Sequence, residues 1–324
     1  MCPVMIICLR QLVALTGLAL TDLFRQPATF LLILTNLAFT ILVPLCVSHQ
    51  IGQQSHLAVD SALAFEFVFG LILAGYAACS TLHNECRSGT ILIVLSKPVS
   101  RMMFFLAKFA AVAFLLAFFV FCSSTAALLA ERLAPQNFEF DSFGLKLMLA
   151  SPFVAFLPAG LLNFRNHRSF VPTALCLYAL VLVAMVLILS IYDREGQRVA
   201  FGSMIEWSLI PACLLEGIAL LPLAAIAISL STRLAAPATV SILLFLLFTG
   251  LISDYLVGLL QGVPWMAFTL RTILPDIQSF WPADKLADGG IISGRMLGHA
   301  AIYAVTYGCG VLCLGYTAFR NRQF

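Results

Sequence analysis

Apolar residues run in stretches of about twenty, long enough to cross the roughly 30 Å hydrocarbon layer of a bilayer, and short polar segments separate them along most of the chain. The clearest stretches cover residues 29–48, 63–82, 104–129, 171–191, 207–231, 237–260 and 297–319. An eighth, 145–162, carries Pro152 and Pro158; membrane helices tolerate proline where neighbours satisfy the freed carbonyls again. The pattern predicts an all-α, polytopic membrane protein of about eight spans. It forms one transmembrane domain over residues 1–324, with both termini on the same face. Composition agrees, at 61% hydrophobic and 10% charged residues, since a soluble domain of this size could not hide so much apolar surface.

Lys and Arg decide which face is which, because cytoplasmic loops carry the excess. One set of segments holds eleven of the 18 Lys and Arg residues and only two acids, Asp22 and Glu85. The opposite set is net acidic, and Glu66 and Glu216 lie inside spans. Both termini are therefore expected in the cytoplasm. Without the 145–162 span, Arg165 and Arg168 would fall outside with no acid near them, so the charges support eight crossings. Trp207, Trp265 and Trp281 fall at the outer ends of spans or in the long outer segment, where aromatic rings with a polar edge gather.

The first 28 residues are apolar but interrupted by Arg10, Thr16, Asp22, Arg25 and Gln26, without a small-residue cleavage pattern. They read as an amphipathic helix along the cytoplasmic interface, the competing reading being an extension of the first span. The ten cysteines make no disulfide framework. Most lie within spans or on the inner side, and Cys309 and Cys313 read as small hydrophobes on one helix face.

The most informative polar stretch is 83–101, between the second and third spans. It starts with His83-Asn84-Glu85-Cys86-Arg87-Ser88-Gly89-Thr90, turns apolar for Ile91–Leu95 and ends in Ser96-Lys97-Pro98-Val99-Ser100-Arg101. Five apolar residues cannot cross a membrane. A short cytoplasmic helix is expected, punctuated by Gly89 and Pro98, with Glu85 and Arg87 turned to the cytosol. Such an element suits docking by a partner; an ordinary loop whose cations only set topology is the plain alternative.

In order and spacing this stretch resembles the type 2 ATP-binding-cassette exporter permeases. These carry a Glu, Ser-Gly-Thr, several aliphatics and Ser-Lys/Arg-Pro-Val/Ile-Ser-Arg after the second span. The resemblance continues in Leu221–Thr232, with Pro222 and Ser229-Leu230-Ser231, and in Leu274-Pro275-Asp276-Ile277-Gln278-Ser279-Phe280. It ends in Gly315-Tyr316, Phe319-Arg320 and Arg322-Gln323-Phe324. Many members of that family have six spans, so the additional pair over 145–191 would make this a longer-chain variant.

The resemblance implies a permease subunit of an exporter in a prokaryotic plasma (inner) membrane. The chain lacks GxxxxGK[ST], so ATP and Mg would be bound by a separate cytoplasmic ATP-binding subunit, and no cofactor is expected here. A second permease subunit, identical or related, would complete the membrane part. Nothing suggests a nucleic-acid partner. Coupling to the ATPase would fall on Glu85, Arg87, Gly89, Thr90, Lys97, Pro98 and Arg101.

Glu216, counted from Trp207, lies near the middle of its span, where a carboxyl must be paired, protonated or facing water. It is a candidate intramembrane polar site, lining a substrate path or bonding across helices. Glu66 is expected to reach the outer interface. The segment 261–296, with three prolines and Gly289-Gly290, reads as short surface helices that act as a gate, a lid or scaffold. The histidines show no HExxH and no GxSxG occurs, which argues against an enzyme. A secondary transporter or a non-transporting structural subunit is the alternative outside the exporter class.

Overall fold

The computed structural model describes residues 3–46, 54–90, 99–134, 141–167, 169–259, 265, 274–281, 290 and 292–321. Among them the regular secondary structure is helical, with an isolated bridge between Tyr192 and Arg198 in the turn that follows α7. The helices are α1 (Pro3–Arg25), α2 (Pro27–Cys46), α3 (Gln54–Ala78), α4 (Asn84–Ser88), α5 (Arg101–Leu133), α6 (Ser142–Asn166), α7 (Phe170–Leu189), α8 (Leu209–Ser231), α9 (Ala236–Leu251), α10 (Ser253–Leu259) and α11 (Gly294–Arg320).

Seven of the described helices are long and apolar enough to cross a membrane. They take in α2, the run from Ser55 to Ser88, and α5, α6, α7, α8 and α11. The proline-bearing helix α6 is intact over 25 residues. The expected 237–260 span is not among the seven. Its helix α9 has 16 residues, about 24 Å at 1.5 Å per residue, and the chain breaks at Ile252 before resuming as α10. Ser253 follows the break, and a short polar side chain of this kind favours helix starts over interiors.

Local chemistry sets several boundaries. Pro27 opens α2 one residue past the end of α1, where a missing N–H costs nothing. Ser100 caps α5 by accepting from the Met103 amide at 3.2 Å, and Asp141 caps α6 by accepting from Gly144 at 2.7 Å. Helix α1 is therefore a separate element and not an extension of α2. Its Thr16, Ala19 and Leu23 are buried, Phe24 meets Phe118 of α5 edge-on at 5.1 Å, and Leu9, Val13 and Leu18 are exposed.

Helices α3, α5 and α8 form the centre, mutually in contact. Two glycines allow close approach there. A Cβ on Gly70 of α3 would meet Leu220 of α8 at 2.5 Å, and one on Gly217 of α8 would meet Val120 of α5 at 2.8 Å. Helix α2 lies against α3 and α5, α11 against α8, α9 against α3 and α8, while α6 and α7 pair as a hairpin reaching the bundle through α7 and α5.

At the end of the bundle where α5 stops, Arg132 binds three elements together. Its Nε donates to Asp141 at 3.1 Å, its Nη2 to the Tyr192 carbonyl at 2.6 Å and its Nη1 to the Leu189 carbonyl. Arg132 and Asp141 are both buried. Arg132 thus joins the start of α6 and the carbonyls ending α7 to α5.

The segment 274–281, expected at the surface, packs inward. Ile277 and Phe280 are buried, Phe280 lies 5.7 Å from Tyr303 of α11, and Trp281 meets Phe67 of α3 edge-on at 6.3 Å. The Asp276 amide donates to the Tyr303 hydroxyl at 3.0 Å.

Candidate functional site

Two places collect the polar residues singled out by the sequence. The first is the end of the bundle where α4, the start of α5 and the end of α11 meet. Helix α3 does not stop after its span but continues through a π-helical turn, Cys79–His83, into α4. Such turns insert an i→i+5 step into an α-helix and recur at functional positions. Gly89 then ends the run with φ +73°, the left-handed cap that a side chain resists. Over 84–88 the start of the helix expected at 84–101 is helical and continuous with the span. Ile91–Leu95, Lys97 and Pro98 lie outside the described residues.

Glu85 is not turned wholly to solvent. Its Oε1 pairs with Lys108 Nζ of α5 at 2.5 Å, with the lysine side chain 7% and the glutamate side chain 26% exposed. Its Oε2 is buried without a hydrogen-bond partner. Lys108 also sits 5.2 Å from the centre of the Phe104 ring, a cation–π distance. Phe104 stacks on Phe319 of α11 at 6.1 Å, and Phe105 lies 5.7 Å from Phe319 and 6.3 Å from Tyr316. Arg101 Nη1 donates to the Arg320 carbonyl at 3.1 Å, in the last turn of α11. Arg87, Ser88 and Thr90 are exposed, and the Ser88 and Thr90 hydroxyls bond to each other across Gly89. Glu85 and Arg101 are thus joined through α5, Arg87 and Thr90 point outward, and Lys108 is the member that sequence reading missed. Twenty-three residues separate it from Glu85, and it reads in isolation as one more inner-face cation.

The second place is buried between α2, α3, α5 and α8. Glu216 of α8 is fully buried and seven residues from the helix start, about 10 Å along its axis. Leu220 marks the midpoint of this helix, four residues on, so Glu216 sits nearer the middle than either end, as the sequence places it. Glu66 of α3 is equally buried, against the expectation that it reaches the interface. It falls four residues after Ala62 and four before Gly70, on the face that α3 turns to its neighbours, and this spacing was the available signal. Glu66 and Glu216 lie close enough to feel each other's charge. Cys213, one turn before Glu216, and Ser123 of α5 flank Glu66, yet no carboxyl oxygen of either acid closes a well-formed hydrogen bond. Asn36 of α2 donates to Ser123 Oγ at 3.1 Å while its own Oδ1 has no partner. Phe39 of α2 packs on Phe65 and Phe69 of α3 at 5.6 and 5.9 Å, holding these two helices together around Glu66.

An apolar groove of about 360 Å³ runs along the outside of α5 and α8, lined by Leu116, Phe121, Ile210 and Leu214 among others. Ser124 and Gly217, next in sequence to Ser123 and Glu216, also line it. Among the described residues, no three or more His, Cys, Asp or Glu side chains gather to hold a metal ion.

The described helices define a multi-pass, all-α membrane protein. Residues 23–180, a stretch from the end of α1 into α7, match the model of a family described as ABC-2 family transporter protein. No curated protein matches the chain.

Proposed function

We propose that the chain is the membrane-spanning subunit of an ATP-driven exporter, moved by a separate cytoplasmic subunit that binds ATP and Mg²⁺. The observation that supports this most is the match of residues 23–180 to the ABC-2 transporter family, because it takes in the whole path from Glu66 to Arg101. On this reading Glu85, Arg87, Gly89, Thr90, Lys97, Pro98 and Arg101 form the contact with the ATPase, of which Arg87, Thr90 and Arg101 are exposed. Both termini are cytoplasmic, and the eighth crossing is made by α9 and α10 together. A second permease subunit completes the membrane part, in a prokaryotic plasma membrane.

Transmission of force needs packed elements and not a tether. A push on Arg87 would travel along α4 and the π turn into α3, and from Glu85 through Lys108 and Phe104 to α11. The helix that receives the push is the one that carries Glu66. The groove along α5 and α8 is apolar, which favours an apolar or amphiphilic cargo.

The test is to isolate the tagged chain in mild detergent and measure ATP hydrolysis in what co-purifies. A stoichiometric ATPase partner whose turnover rises with an amphiphilic cargo is expected. Isolation of the chain without any nucleotide hydrolase would overturn the reading. The buried pair Glu66 and Glu216 gives secondary transport a specific observation of its own, and uptake driven by an ion gradient in vesicles without ATP would select it.

A further inference from the structure

Among the described residues, no cationic side chain pairs with the acids of the acceptor-rich place between α2, α3, α5 and α8. Its acids are not alone. Asn36 is fully buried, and its amide nitrogen is committed to Ser123, which flanks Glu66; that leaves its Oδ1 as an unpartnered acceptor there. Thr40, one turn further along the same face of α2, is also fully buried, with an unpartnered hydroxyl. With the four carboxyl oxygens of Glu66 and Glu216, six oxygen atoms lack a partner there. The nearest arginine along α5 is Arg132, nine residues from Ser123 and about 13 Å away, and Asp141 and two carbonyls already hold it.

Orphaned buried acceptors cost free energy unless something donates to them or carries positive charge, and an intramembrane acid by default marks an ion or substrate path. The set excludes anions. Carboxyl, amide and hydroxyl oxygens are hard ligands, which disfavours soft metal ions. Taking an ion out of water costs free energy that rises with the square of its charge, so four fully buried side chains in a dry interior favour a monovalent over a divalent cation. We infer that Glu66, Glu216, Asn36 and Thr40 form an intramembrane binding site for a small monovalent metal cation, of which Na⁺ is the physiological example. The site stands independently of ATP-driven export. It would link ion occupancy to the packing of α2 and α3 against α5 and α8.

Trp281 lies against Phe67, the residue after Glu66, so the site has a neighbouring fluorophore. The test titrates the purified full chain, with whatever subunits accompany it, with NaCl against choline chloride at constant ionic strength. Tryptophan emission and the thermal midpoint are followed. A saturable response to Na⁺ is expected, absent with choline and weakened at least tenfold in both Glu66→Gln and Glu216→Gln. Thr40→Val, which keeps shape and loses one oxygen, should weaken it several-fold. Identical behaviour in NaCl and choline chloride at all concentrations overturns the site. So does a response to Mg²⁺, Ca²⁺ or pH with none to Na⁺, or a Na⁺ response left unchanged by the substitutions. The wild-type comparison decides even if the glutamine variants fail to fold.

Discussion

Loss of Lys108 should weaken the bundle more than loss of Glu85 and Lys108 together. The two charges are 2.5 Å apart, with the lysine nearly buried and the glutamate one-quarter exposed. Opposite charges at about 4 Å attract by roughly 4 kcal/mol at an effective dielectric of about 20. Desolvation of the ammonium cancels much of that, so a net coupling of about 1–3 kcal/mol is expected. Lys108→Met strands a carboxylate whose Oε2 is already without a partner, and removes the cation from the Phe104 ring. It should cost about 2–3 kcal/mol, below the full range for a completely buried pair because Glu85 is partly wet. Adding Glu85→Gln to Lys108→Met should recover about 1 kcal/mol or more. Reversible unfolding in mixed micelles, run as a double-mutant cycle, reads the coupling directly. The same four proteins can be assayed for ATPase activity in the co-purified complex, where the single variants should lose more turnover than their stability loss explains. Coupling within about 0.3 kcal/mol of zero, the limit of additivity for independent sites, would refute the view that this pair ties α4 to α5.

Arg132→Met leaves Asp141 buried without its guanidinium and the Leu189 and Tyr192 carbonyls without a donor; a loss of about 3–5 kcal/mol is expected in the same unfolding assay. Gly89→Val forces a β-branched residue to φ +73° and should cost about 1–2 kcal/mol in stability, with reduced co-purification of the ATPase if the cap sets the direction of the chain toward it. Gly217→Leu places a side chain where even a Cβ meets Val120 at 2.8 Å; about 1–3 kcal/mol of overpacking is expected, read as a lower thermal midpoint, while Gly298→Leu, where a Cβ meets nothing within 4 Å, serves as the tolerated control.

The spans were legible because hydropathy reports burial of any kind, in lipid or in protein. For that same reason it could not tell where a helix stops being one piece: residues 237–260 read as one apolar run although the chain breaks at Ile252. It also understated α3, whose helix begins at Gln54 and, through the π turn, reaches Ser88, since backbone hydrogen bonding continues past the apolar stretch into His56 and Asp60 on one side and Glu85 on the other. Glu216 stood out as an acid amid apolar residues. Glu66 was equally visible, but its depth depends on which neighbour α3 faces, and that is tertiary information. The same holds for Asn36, Ser123 and Cys213, three ordinary polar or small residues on separate helices that acquire meaning once packing brings them to the two carboxyls. Lys108 was hidden by an adequate simpler reading, as a topological charge. The segment 261–296 was read as surface because of its prolines; within it Leu274, Ile277 and Phe280, spaced three apart, were the sign of a buried side.

The central claim is that Arg87, at the exposed end of the helix running up to Glu66, meets a nucleotide-hydrolysing subunit. A photo-crosslinking amino acid placed at position 87 in the intact membrane tests this most directly. The account predicts a crosslink to a single ATPase, changing in yield when ATP hydrolysis is blocked. Crosslinks to lipid alone, or modification of position 87 by a membrane-impermeant reagent added outside intact cells, would contradict it.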